Sequence, residues 1–335
     1  MSIFKSKFFY PIHSNSNSNS KIYPNKNTSI LVKINFYILN EINSYKIIQT
    51  ILNKENFFYL FDTIEYITYN ELKNEDMYLQ SSNIIHNTNK VLLTYKDKQI
   101  YNLQDYILNY TNLLLKIRLI IDSYSYLLDS ICLLLKNKLV HNNINTNSIC
   151  IHDLNDCKPI IMKFDHSIHI PSFYNTSKSN LNDFIQPYLL KFDPNDNYLP
   201  LEFHLLSFIF YSKLNSLSKI NITSFINNIY NEENLLFLLE KKNNIEIIEY
   251  HKKETELYLN NYINCTIEEI INDIFEYYTT WDNYRLSIYY LELSIQIEFQ
   301  SFLPNFINLL VYNIHPNPKK RFSIKKTKEE FYQYF

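Results

Sequence analysis

Residues 139 to 151 read LVHNNINTNSICI, and Asp165 follows fourteen residues later in KFDHS (163 to 167). The flanks decide what this stretch is. YTNLLLKIRLIIDSYSYLLDSICLLLKNK (110 to 138) leads into it with apolar residues at helical spacing, which predicts the longest helix of the chain. KPIIMKF (158 to 164) predicts a strand immediately before Asp165. A phosphoryl-transfer site has this skeleton: a His-x-Asp loop after a helix, an Asn five residues beyond the Asp, and a second Asp after a strand. The first Asp accepts the proton of the attacking hydroxyl, and the Asn and second Asp hold Mg²⁺ on the phosphates. Here His141 and Asp165 are in place, Asn143 stands where the base should be, and Ser148 stands where the metal-binding Asn should be.

The rest of the composition narrows the class. A chain of 335 residues that is 46% hydrophobic and 16% aromatic can bury one large core or two lobes. A net charge of -2 argues against a general nucleic-acid or anionic-membrane binder. The basic run PNPKKRFSIKKTK (316 to 328) is expected to be a solvated face. Four cysteines without a CxxC or a Cys/His cluster read as reduced thiols of an intracellular protein. The N-terminus lacks the apolar run of a signal peptide. Lys116, Arg118, Asp122 and Asp129 interrupt the most apolar helix, so no membrane span is expected.

Glycine is absent, while Asn, Ile, Lys, Tyr and Phe, all with AT-rich codons, are abundant. Turns with positive φ must then use Asn, Asp or residues that tolerate it less well, and no Gly-rich phosphate cradle exists.

In chain order, residues 1 to 29 are a low-complexity polar segment containing SNSNSNS. ILVKINFYIL (30 to 39) begins as a strand, 41 to 52 has the spacing of a short amphipathic helix, and 56 to 69 suits one or two strands. KVLLTYKDKQIYNLQDYI (90 to 107) reads as strand, turn and helix start. Beyond it the pattern is mainly helical. Helices are expected at 201 to 212, 221 to 241 and 303 to 314, a charged interruption at 241 to 255, and two helices in 265 to 295 meeting near Thr279 to Asp282.

These segments together resemble the protein kinase family. LVHNNINTNSICI is similar to LVHRDIKPENILI, matching at His141, Ile144 and Ile149 but departing at the Arg, Asp, Lys, Pro and Asn. KFDHS is similar to the segment around DFG. YLPLE (198 to 202) resembles Y-x-A-P-E with Glu202 in the Glu position, and WDNYRLS (281 to 287) resembles D-x-W/Y-S-L-G with Asp282 as the buried Asp. HPNPKKR (315 to 321) resembles D-P-x-x-R, and VKI places Lys33 as the Lys of V-A-I-K with Glu41 as its helix partner. The resemblance covers about residues 30 to 325. Eighty residues separate Glu202 from Asp282, which implies an insertion of two or three helices, and the short step from Asp282 to Arg321 implies a reduced substrate-docking region. The whole is similar to divergent kinase-like proteins of large AT-rich DNA viruses.

The resemblance implies an α+β, two-lobed fold: a small lobe over 30 to 100 and a helical lobe over 101 to 335, with an insertion over about 203 to 280. It implies that Asn143, Asn145 and His141 occupy the catalytic-loop positions, Lys33 and Glu41 the nucleotide site, and Asp165 and Ser148 the metal site. Glu202, Asp282 and Arg321 are implied to be structural, with Arg321 pairing Glu202 and Asp282 anchoring the loop. The expected function is a pseudokinase scaffold with a protein partner, with weak or absent ATP and Mg²⁺ binding and no nucleic-acid or membrane partner. Its implied setting is intracellular, the host cytoplasm or the virion if viral. An active atypical Ser/Thr kinase and a small-molecule phosphotransferase remain the alternatives.

Overall fold

The computed structural model describes residues 28–67, 90–95, 100–152, 158–177, 180–189, 191–243, 247–297 and 303–335. The SNSNSNS tract and Cys157 lie outside the described residues. The chain enters as β1 (Thr28–Lys33) and turns directly into α1 (Phe36–Ile48). That helix starts five residues earlier than the spacing predicts, because the Asn35 side chain caps it by accepting from the Ile38 amide at 2.9 Å. β2 (Phe61–Ile67) and β3 (Lys90–Tyr95) complete an antiparallel sheet in the order β1-β3-β2. Val91 and Leu93 of the central strand bury against Ile38 and Ile42 of α1 and Phe61, a small core of its own.

β4 (Tyr101–Asn102) leads through α2 (Leu103–Asn109) to α3 (Leu113–Lys136), the long helix expected at 110 to 138. Asn112 caps it, accepting from the Leu114 and Leu115 amides. Its buried stripe is Ile120, Tyr124, Leu127, Leu128, Ile131 and Leu134, a 3.6-residue period facing the large core. Lys138, at φ 56°, then turns the chain into β5 (Leu139–Val140). β6 (Ile149–Ile151) pairs with β4 and with β7 (Pro159–Ile161), while β5 pairs with β8 (Ile168–His169). Residues 141–148 are therefore a loop stretched between two short antiparallel ladders, backed by α3.

Helices make up the remainder: α4 (Ile170–Tyr174), α5 (Leu181–Ile185), α6 (Leu201–Tyr211), α7 (Lys219–Ile229), α8 (Leu235–Asn243), α9 (Ile248–Leu259), α10 (Ile267–Phe275), α11 (Trp281–Ile297), α12 (Pro304–Asn313) and α13 (Ile324–Tyr334). Three expectations need correction. The segment 221 to 241 is two helices, broken where the Asn234 side chain donates to Ile229 O and accepts from the Leu236 amide. The charged stretch 241 to 255 mostly belongs to α9. Glu240 accepts from the Ile247 and Ile248 amides ahead of it, and its buried stripe includes His251 and Thr255, polar residues that conceal the period. The segment between Glu202 and Asp282 thus carries four helices beyond α6, where two or three are expected.

The basic run is not simply solvated: Lys320 pairs with Glu254, Lys328 with Asp129, and Arg321 is buried. Among the described residues the positive-φ positions are Asn53, Asn142, Asn264, Lys138, Lys163 and Lys213, so Lys shares with Asn the turns that glycine would otherwise make. Among the described residues, no helix is long and apolar enough to cross a membrane.

Candidate functional site

The 141–148 loop is held from beneath by one carboxylate. Asp282, on the first turn of α11 and 1% exposed, accepts from the His141 amide at 2.7 Å and the Asn142 amide at 2.8 Å. Burial still pushes its carboxyl up to about 6, against the pull of those two N–H groups and of Arg285. Asn142 sits at φ 55°, and its Oδ1 accepts from Arg285 Nη2 at 3.0 Å. His141 is fully buried, with its ring edge-on to Phe164. Its Nδ1 accepts from the Asn143 amide, which leaves Nε2 to donate to Met162 O at 3.0 Å. Burial lowers this imidazole to about 3, so it is neutral and ties the loop to the strand side. His141 is a loop anchor.

The upper rim is made of amides that bond to one another. Asn145 Nδ2 donates to Asn143 Oδ1 at 2.8 Å and to Asn143 O, and Asn145 Oδ1 accepts from the Asn147 amide. Ser148, expected on a metal, is fully buried. Its hydroxyl accepts from the Asn145 amide at 2.8 Å and donates to Asn145 O at 3.0 Å, closing the turn.

The acidic turn 164–167 lies against α1. Asn40 Nδ2 donates to Asp165 O at 2.8 Å and to Ser167 O at 2.7 Å, so the helix is clamped to the turn. One residue on, Glu41 meets the Phe164 amide in the field of Asp165 and Lys163. Burial first, and the Asp165 charge second, push the Glu41 carboxyl up to about 7. Asp165 Oδ1 is buried without a hydrogen-bond partner, and Oδ2 lies 3.9 Å from His166 Nε2. The His166 ring packs 4.9 Å from that of Tyr37 on α1. Lys33 ends β1 in register with Lys90. The expected Lys33–Glu41 side-chain pair lies outside the described side chains. Among the described residues, no group of three or more His, Cys, Asp or Glu side chains is arranged to hold a metal ion.

At a distance from the loop, Arg321 and Glu202 form a two-pronged ion pair at 2.7 and 2.8 Å with both side chains fully buried. Arg321 also donates to His315 O and lies over the Tyr284 ring. The arrangement joins α6 to the turn before α13.

In front of the loop is a cavity of about 240 Å³. Asn142, Asn143, Asn145, His166, Tyr188, Asp196, Tyr198 and Arg285 are among the residues that line it. Sequence reasoning passed over Asn40, Asp196 and Arg285. A signal existed for the last: in WDNYRLS it stands three residues after Asp282, one turn along the same face of a helix. Asn40 and Asp196 sit in stretches with no distinguishing pattern.

No protein-family model matches the sequence, and no curated protein matches it. Over 91% of its length the chain is similar to a solved structure, "Titin kinase and its flanking domains", at 10% identity and a TM-score of 0.41. The chain spans 41% of that structure's length.

Proposed function

We propose that this chain is a two-lobed, protein kinase-like pseudokinase, with residues 30–100 as the small lobe and 101–335 as the helical lobe, and that it works by binding a protein partner. One observation carries the reading. The loop keeps its buried anchor, Asp282 on the His141 and Asn142 amides, while the base position is Asn143, whose Oδ1 already accepts from Asn145. A neutral amide takes no proton from a hydroxyl, and general-base help is worth roughly 10²- to 10⁴-fold. Two further features support the lobes: α1 and its sheet enclose a core separate from the large helical one, and Asn40 clamps α1 to the acidic turn.

Nucleotide binding, if retained, uses Lys33 and the face of α1 that carries Glu41. Asp165 Oδ1 is an open acceptor beside the Glu41 carboxylate, which suits a hard cation, and Mg²⁺ there would complete its shell with phosphate and water oxygens. Ser148 is engaged within its own loop and adds nothing to that shell. The helices over 203–280 offer the partner surface. If the chain is of the viral kind it resembles, its setting is the host cytoplasm or the virion.

A thermal-shift titration with ATP, with and without Mg²⁺, on wild type and Lys33→Ala tests the cleft. Ligand at a hundred times its Kd stabilises by about 2.7 kcal/mol. A Mg²⁺-dependent shift lost in the variant supports nucleotide binding, and no shift at millimolar ATP leaves a scaffold without nucleotide. The open Asp165 oxygen favours a second reading, an atypical active Ser/Thr kinase. Phosphate transfer from ATP to a generic protein substrate, abolished in Asp165→Ala, would establish that reading and end the scaffold one.

A further inference from the structure

Two arginines are buried, Arg285 beneath the loop and Arg321 further from it, and they are treated differently. Arg321 has a complete carboxylate partner in Glu202. Arg285 is 4% exposed, and its Nη2 meets only the neutral Oδ1 of Asn142. Its Nε is buried without a hydrogen-bond partner, and its guanidinium lies 5.9 Å from the Phe203 ring centroid. The acids that act on it most are Asp196 and Asp282, neither of which forms an ion pair with it among the described residues. Both oxygens of Asp282 are taken by backbone amides. A desolvated cation with no carboxylate in ion-pair contact is costly, and here it borders the 240 Å³ cavity.

The cavity around it has a defined polarity. Asn142, Asn143, Asn145 and Asn147 line it with amides beside Arg285. Among the described lining residues Asp196 is the one carboxylate; it acts on Arg285 through charge, and its Oδ1 accepts from the Tyr198 amide at 3.1 Å. A ligand that suits this lining presents anionic oxygens to the guanidinium and amides, and an O–H to the carboxylate.

We infer that this cavity binds a phosphate monoester or inorganic phosphate, with the phosphoryl oxygens on Arg285 and the loop asparagines and the remaining P–OH donating to Asp196. A guanidinium takes oxyanions in forked geometry. Phosphate carries a proton near neutral pH and sulfate does not, so the Asp196 carboxylate accepts a hydrogen bond from the first and repels the second. The volume, several times the roughly 30 Å³ share of a water molecule, admits the phosphoryl group with its first carbons. Glu41 and Asp165 are not among the described residues that line the cavity, so the inference does not depend on nucleotide binding.

The test is a thermal-shift and calorimetric titration of the full chain with sodium phosphate against sodium sulfate at pH 7 and equal ionic strength. Phosphate is expected to bind and sulfate not to, with Arg285→Gln weakening phosphate at least 10-fold. Asp196→Asn, which keeps an acceptor for the Tyr198 amide, is expected to bind sulfate about as well as phosphate, and it preserves the test if Arg285→Gln fails to fold. Lys33→Ala should bind phosphate as wild type does, which separates this cavity from the nucleotide cleft. O-phosphoserine and a phosphoserine peptide extend the titration: tighter binding of the peptide than of inorganic phosphate identifies a phosphorylated chain as the source, and equal binding identifies free phosphate. No phosphate binding at tens of millimolar, equal response to sulfate in the wild type, or unchanged selectivity in Asp196→Asn would overturn the inference.

Discussion

The 141–148 loop has an underside and a rim, and they have been kept by different means. Beneath it, a buried carboxylate holds two backbone amides, and further back a buried Arg–Glu pair braces the helices. On the rim, Asn143, Asn145 and Ser148 carry neutral side chains that hydrogen-bond within the loop. The difference means that the frame is coupled to folding while the rim is not. Removing a frame charge strands its partner in the core. Changing a rim amide disturbs a few half-buried hydrogen bonds.

Each side of that contrast can be broken. Arg321→Ala or Glu202→Ala leaves one buried charge alone and is expected to cost about 3 to 5 kcal/mol in urea unfolding, whereas an apolar replacement of both together recovers most of the loss. Equal, additive losses would show that the pair does not act as one unit. Asp282→Ala leaves the His141 and Asn142 amides without an acceptor, and at roughly 1 to 3 kcal/mol per buried group the loss should reach about 2 to 6 kcal/mol. Protection of those two amides from hydrogen exchange should fall with it.

The acidic turn lies between the two regimes. Glu41, raised to about 7 by burial and Asp165, contributes stability that is complete below about pH 4.5 and is lost as pH rises through 7. Glu41→Gln should therefore be more stable than wild type at pH 8, by on the order of 1 to 3 kcal/mol, and indistinguishable from it near pH 4. An unchanged pH profile would mean that the carboxyl is not held protonated by the turn.

On the rim, Asn145→Ala should cost about 0.5 to 1.5 kcal/mol. Asn143→Asp should do least of all, with stability shifted by under about 0.5 kcal/mol and no phosphotransfer gained, because Asn145 and Ser148 remain. Activity appearing in Asn143→Asp would mean that one residue, and not the whole rim, separates this loop from a working one.

Much of this was legible along the chain. The regular period of 113 to 136, the two prolines of HPNP and the Ile-rich strand before Asp165 fixed the elements around the loop, because short-range spacing reports which face is buried. The period failed at α9, whose buried stripe contains His251 and Thr255, and at 221 to 241, where asparagine side chains end one helix and begin the next. The quoted motifs named Glu202 and Arg321 as a pair and Asp282 as the anchor of the loop. They gave no sign that Arg285 would be left without a carboxylate.

By itself the sequence determined the order of the elements, the neutral side chains at Asn143, Asn145 and Ser148, and that turns with positive φ must do without glycine. Only the tertiary structure decided that Asn40 meets the turn 125 residues away and that Arg285 borders a cavity with no carboxylate in ion-pair contact. The reason is physical. Local pattern follows the few residues of a turn or a strand, whereas the partner of a buried charge depends on how whole helices pack, and packing is a property of the closed chain.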